Sequence, residues 1–214
     1  MSDRVSLDSP RAAEPHLSAA PGPAPDLAPD GAPDRAPDRV PDRAPTGASA
    51  ANAQPVLLSY EDFRFRPHHC FACGELSEVG LHLKLNLEPG KCWTELELPR
   101  RFEGWEGIIH GGIICTILDE VMAWSLVARD NWGVTARMSV DFRKPVAVGQ
   151  PIRAEGWIIE DRRRIQVTAA RLVDAVTGVE LAAAQATYVA ASETRKRELK
   201  EFYGVAEDGE GEPS

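Results

Sequence analysis

The chain has 214 residues, 33 Asp and Glu against 24 Lys and Arg, and a formal net charge of −9. That balance argues against a nucleic-acid binder, which needs a basic face, and no uncharged apolar run is long enough to span a bilayer. Four cysteines make a poor disulfide framework for a chain of this size, so a reducing, cytoplasmic setting is expected.

Residues 1–54 contain no Phe, Trp, Tyr, Ile or Cys, and from Pro25 to Pro45 a proline recurs at every fourth position. Such a segment buries too little apolar surface to offset chain entropy, so a disordered tail is expected. It lacks the apolar region of a secretory signal, and its many Asp residues do not suit a transit peptide. One folded domain is expected over 55–192, followed by a polar and acidic tail over 193–214.

Pro55 to Pro67 is a lead-in with Tyr60, Phe63 and Phe65 as packing anchors. The next stretch, His68-His69-Cys70-Phe71-Ala72-Cys73-Gly74, invites a zinc reading. Structural zinc usually draws four ligands from two spaced pairs. No second Cys-x-x-Cys follows, and Cys92 and Cys115 stand alone. A thioredoxin-like site would need a strand before the pair and a helix after it. The pair is therefore read as a loop packed by small thiols, with no metal and no cofactor expected.

Leu81, Leu83, Leu85 and Leu87 alternate with polar residues, Pro89-Gly90 turns the chain, and Trp93, Leu96 and Leu98 follow. This pattern predicts a β-hairpin. A loop from Arg100 to Ile109 then delivers the chain to His110-Gly111-Gly112 and an apolar run through Val127. The run predicts a helix over about 111–128, buried nearly all round and stopped by Asn131 and Gly133.

Two adjacent carboxylates, Asp119 and Glu120, sit inside that helix. A buried carboxylate is costly unless it is paired, hydrogen-bonded or facing a wet cleft. The glycines at the helix start leave N–H groups open to a carbonyl oxygen or oxyanion. Gly112 and Asp119 share a face but lie about 10 Å apart along the axis. One chain's Asp119 cannot easily reach a carbonyl held by its own Gly112. Two such helices placed antiparallel across a two-fold axis would bring the two together. The plain alternative is a buried helix with a structural acid pair.

Four more strands are predicted over 134–142, 152–159, 165–173 and 179–189, then a short polar surface helix after Ser192. Two strands, one long helix and four strands make an α+β fold in which the sheet curls about the helix.

His110-Gly111-Gly112, six residues and then Asp119 resemble the hotdog-fold acyl-CoA thioesterases, nearest to the phenylacetyl-CoA thioesterase-like (PaaI-like) group. Gly104-Trp105-Glu106-Gly107-Ile108-Ile109, Cys70-Phe71-Ala72-Cys73-Gly74 with Gly80-Leu81-His82-Leu83, and Val140-Asp141-Phe142-Arg143-Lys144-Pro145-Val146 are similar to other stretches of that group. The likeness covers about Cys70 to Ala190.

The resemblance implies a long central helix wrapped by a curved antiparallel sheet of about six strands. It implies hydrolysis of a small or medium acyl-CoA, with Gly112 polarising the thioester carbonyl. Asp119 of the partner subunit would act as general base or nucleophile, and His110 would order the loop. Gly111, Glu103 and Gly104 would line the substrate site, and a homodimer or dimer of dimers is implied. Glu103 departs from the Asn or Gln that many relatives carry there. Arg143 and Lys144 are candidates for the CoA phosphates, with Arg162 to Arg164 nearby. Glu120 points about 100° away from Asp119 and is expected to pair with an arginine.

Three other readings stay open. One is a non-catalytic acyl-CoA-binding module, which has no need of a buried acid. Another is a hydratase or dehydratase, which pairs a histidine with a carboxylate; no His lies within the helix. The third is an interaction protein in which the proline-rich tail over 1–54 is the working part.

Overall fold

The computed structural model describes residues 65–205; the expectations for residues 1–54, for Tyr60 and Phe63 and for the acidic end beyond 205 lie outside them. The elements run β1 (Asn86–Glu88), β2 (Lys91–Glu97), a 3-10 turn (Arg100–Phe102), β3 (Glu103–Trp105), β4 (Ile108–Ile109), α1 (Gly111–Val127), β5 (Gly133–Phe142), β6 (Pro151–Arg162), β7 (Ile165–Asp174), β8 (Glu180–Ala190) and α2 (Glu193–Tyr203). No helix among the described residues is long and apolar enough to cross a membrane.

Six strands form one antiparallel sheet in the order β1-β2-β6-β7-β8-β5. Helix α1 touches all six. A flat sheet of six strands is about 24 Å across, roughly twice the width of a helix with its side chains. The edge strands reach α1 because the sheet curls around it. Ile117, Leu118, Val121, Met122 and Leu126 of α1 fill that curl, against Ile152 and Ala154 of β6, Leu172 of β7 and Ala184 and Tyr188 of β8. Gly156 of β6 lets helix and sheet approach closely, since a Cβ there would stand 2.4 Å from the Val121 carbonyl oxygen. This is an α+β hotdog fold, a long helix wrapped by a curved six-stranded antiparallel sheet, as the sequence led us to expect.

Local predictions meet the structure unevenly. The leucine alternation predicted a strand from Leu81, yet pairing begins only at Asn86. His82 adopts a left-handed φ of 50°, and the Leu81 and Leu83 N–H groups bond to Phe71 and Ala72 carbonyls. Leu83, Leu85 and Leu87 are buried all the same, so the alternation reported burial rather than pairing. Helix α1 is not buried all round. Its face bearing Gly112, Thr116, Asp119, Ala123 and Val127 stays half-open or exposed. It ends at Val127, where expected, and the turn is made by Asp130 in the left-handed conformation with Asn131 N–H returning to the Leu126 carbonyl.

The polar segment after Ser192 forms an eleven-residue helix, α2, capped by the Ser192 hydroxyl and ended by Gly204 at φ 74°. Lys196 and Lys200 both pair with Asp130, at 2.6 and 2.8 Å. The Tyr203 ring stands edge-on to Phe65 and stacks on Trp132. These contacts tie α2 to the end of α1 and to the start of the described chain.

Candidate active site

The loop before α1 is built to hold its first turn. Ile109 N–H bonds to Val146 O and His110 N–H to Phe102 O, each at 2.9 Å. β3 and β4 make a small hairpin whose carboxylate, Glu103, accepts from Gly107 N–H and pairs with Arg100 at 2.9 Å. The Gly107 N–H, then Arg100, hold the Glu103 carboxyl below the usual range. A Cβ on Gly104 would stand 3.0 Å from the His110 backbone, so a larger residue would push the histidine back by a few tenths of an ångström. Glu103 and Gly104, expected to line a substrate site, here organise the loop that carries His110.

His110 is the N-cap of α1, and its Nδ1 accepts from Gly112 N–H at 2.9 Å. That bond assigns the imidazole proton to Nε2. Sequence reasoning left the Gly112 N–H open; in the structure the histidine side chain fills it. The Phe142 ring lies over Gly111, 3.5 Å from where a Cβ would stand.

Two turns further along the same face, Asp119 is held from both sides. The Tyr188 hydroxyl donates to Oδ1 at 2.8 Å and lies 3.1 Å from the Asp119 main-chain oxygen. The Thr135 hydroxyl donates to the same Oδ1 at 2.9 Å. Both side-chain donors therefore meet one oxygen, and Oδ2 is the one left to a reactant. Burial, then the charge of Asp119, pushes the Tyr188 phenol well above the usual tyrosine range, so it remains a donor. Sequence reasoning missed Tyr188 and Thr135. The available signal was a tyrosine on the inward face of an alanine-rich strand, since a buried phenol needs a polar partner.

Glu120 has a different environment. It accepts from Trp124 Nε1 at 2.9 Å and from the Cys70 thiol at 3.8 Å, where an arginine was expected. Burial, then the charge of Cys70, pushes its carboxyl up to about 7. Of the two cations proposed for phosphates, Arg143 is committed to Glu180 at 2.5 Å, and Lys144 is exposed at the end of β5. Arg162 pairs with Glu160 at 3.0 Å.

A groove of about 580 Å³ lies elsewhere, lined by Arg66, Pro67, His68, Glu198, Phe202 and Tyr203. None of its residues comes from α1. Among the described residues, α1 thus offers a carboxylate, a helix start and a half-open face.

Residues 106–180 match the thioesterase superfamily. That span runs from the loop before α1 through the start of β8, so it includes Gly112 and Asp119. Acyl-coenzyme A thioesterase 13 of Homo sapiens and of Pongo abelii are each 23% identical over 92 residues, 42% of this chain. The chain covers 66% of the length of those relatives, just under two thirds. A solved thioesterase superfamily protein overlays with a TM-score of 0.54 at 21% identity, over 56% of this chain and 60% of that one. The E. coli PaaI protein, from the phenylacetic acid degradation operon, overlays with a TM-score of 0.50 at 14% identity, over 52% and 81%. The domain is a hotdog domain that resembles the acyl-CoA thioesterases, the PaaI-like group among them, as the sequence motifs implied.

Proposed function

We propose that the protein hydrolyses the thioester of a small or medium acyl-CoA to the free acid and CoA. One observation carries this reading. Asp119, on a half-open helix face, is oriented by two hydroxyl donors that occupy one carboxylate oxygen and leave the other for water. A carboxylate so placed suits a general base. A binding module has no use for one. Water attacks the thioester carbon, Asp119 takes its proton, and a helix N–H receives the developing oxyanion; the intermediate then collapses, the C–S bond breaks, and the proton passes from Asp119 to the departing CoA thiolate. The substrate carbonyl takes the place of His110 Nδ1 at Gly112 N–H, and the histidine keeps that donor aimed until then. Phosphate contacts fall to Lys144 before Arg143, whose charge Glu180 already answers.

The active site is shared between two chains. Gly112 and Asp119 stand about 10 Å apart on one helix, too far for one thioester. Strand β5 is a ten-residue edge bonded on one side to β8, and it exposes Val134 and Phe142. A long exposed edge invites pairing with another chain. Two β5 edges joined about a two-fold axis would lay the open faces of two α1 helices antiparallel, Gly112 of one chain against Asp119 of the other. A dimer, or a dimer of dimers, follows.

The test is release of free thiol from a panel of short, long and aromatic acyl-CoAs, with Asp119→Asn beside the unaltered chain. Turnover of at least one substrate, lowered ~10²-fold or more by Asp119→Asn, is expected. Binding of acyl-CoA with no hydrolysis of any member of the panel would instead support the binding-module reading.

A further inference from the structure

The Cys-x-x-Cys loop lies outside the catalytic reading. Its place in the fold supplies what its sequence lacked. The Cys70 and Cys73 sulfurs and a Glu120 carboxylate oxygen all lie within 4.8 Å of one another. His68 Nε2 stands 3.5 Å from the Cys73 sulfur. From this geometry we infer a zinc site formed by Cys70, Cys73 and Glu120, with His68 as the fourth ligand.

The Cys70, Cys73 and Glu120 ligand atoms stand at separations that suit that ion; His68, 3.5 Å from Cys73 but outside the group whose atoms all lie within 4.8 Å, turns its ring inward to complete it. Zn–S bonds of about 2.3 Å and Zn–N or Zn–O bonds of about 2.0 Å give a tetrahedron with edges of roughly 3.3–3.8 Å. The Cys70 sulfur is 3.8 Å from Glu120 Oε1, and the Cys73 sulfur 3.5 Å from His68 Nε2. Two thiolates, an imidazole and a carboxylate form a mixed set that zinc accepts, and harder ions such as magnesium or calcium do not favour sulfur.

The loop is folded for the purpose. Gly74 N–H closes a turn onto the Cys70 carbonyl at 2.9 Å. A Cβ on Gly74 would stand 2.4 Å from both the Cys70 nitrogen and the His68 oxygen, so the tight turn excludes any larger residue. Trp124 Nε1 fixes the Glu120 carboxylate at 2.9 Å, the outer support that ligating carboxylates usually have. The Tyr203 ring packs edge-on to His68.

Such a site would staple the loop to α1 at Glu120, one residue from Asp119. It is structural, because four protein ligands leave no open position. A metal displaces protons from the ligands it binds, so affinity rises with pH.

Full-length protein purified without chelator is analysed for metals by mass spectrometry, and about one zinc per chain is expected. The stripped, reduced protein is then titrated with Co²⁺. Thiolate-to-cobalt charge-transfer bands and the ligand-field bands of a tetrahedral centre should saturate at about one equivalent and vanish on adding Zn²⁺. Cys73→Ser and Glu120→Gln should each weaken Co²⁺ binding by ~10-fold or more. Cys115→Ser, which alters a thiol outside the group, should leave it unchanged. The titration of the unaltered chain needs no variant to fold. Absence of zinc together with absence of cobalt bands would overturn the site, as would a Cys70–Cys73 disulfide that persists under the reducing conditions of the titration. Bands indifferent to Glu120→Gln would remove the carboxylate and with it the site as drawn.

Discussion

The hydroxyl of Tyr188 donates to Asp119 Oδ1 at 2.8 Å across 69 residues of sequence. A strand at the far end of the domain thus sets the orientation of the one carboxylate to which we assign the chemistry. Tyr188→Phe keeps the ring and removes the bond. We expect kcat to fall about tenfold with KM nearly unchanged, since the loss falls on positioning rather than binding. Stability should drop by about 1.5–3 kcal/mol, the usual cost of a lost hydrogen bond to a charged group. Steady-state kinetics and thermal unfolding check both. A rise in KM alone would place Tyr188 in substrate binding instead.

The shared site makes a complementation prediction. Asp119→Asn removes the base, and Gly112→Pro removes the N–H that His110 now caps. Each variant alone should be inactive. In a mixed dimer one site carries both lesions and the other neither, so hydrolysis should return to about half that of an unaltered dimer. Verified heterodimers that stay inactive would show that each chain holds its own complete site.

Glu103 should matter through its loop. Its carboxylate ties Gly107 N–H and Arg100 into the hairpin that leans on His110. Glu103→Ala should lower kcat/KM about tenfold by loosening the start of α1. Glu103→Gln keeps an acceptor for Gly107 and should stay near the unaltered rate. Equal losses in the two variants would point to a role for the charge itself.

Docking of α2 should be acid-sensitive. Burial would raise the Asp130 carboxyl, but bonds from Lys196 and Lys200 outweigh it and hold the group below its ordinary 3.8. Trp132 Nε1 adds a third donor at 3.3 Å. A depressed carboxylate stabilises the docked state above its ordinary pKa, and that contribution is lost as pH falls through the depressed value. Docking should therefore hold above about pH 4 and weaken below it. Hydrogen exchange of the α2 amides across that range is the measurement. Asp130→Asn should remove the acid-dependent step, and an identical profile in the variant would assign the sensitivity to another group.

Truncation is the simplest test of the tail. Removing residues 1–54 should leave hydrolysis unchanged, because a segment without aromatic residues or Ile and with a four-residue proline period has little to contribute to a packed site. Loss of activity on truncation would give the segment a working role.

Local pattern determined much of this protein. Two-residue alternation placed the hairpin about its Pro-Gly turn and the four later strands. The glycines behind His110 and the apolar run after them placed α1, and the seven-residue gap from Gly112 to Asp119 followed from helix geometry alone. These signals are legible because each depends on neighbours within a few residues. Contacts between distant segments carry no such signature, and only the tertiary structure decided them. Burial of Leu83 and Leu85 without strand pairing, the His110 ring on Gly112 N–H and the hydroxyls of Thr135 and Tyr188 on Asp119 are of that kind. So is the partner of Glu120. An arginine was the natural expectation for a lone buried acid, yet the curl of the sheet and the packing of the first loop bring it Cys70, 50 residues away. A helix fixes only which way a side chain points. What it meets there is set by how the rest of the chain closes over it.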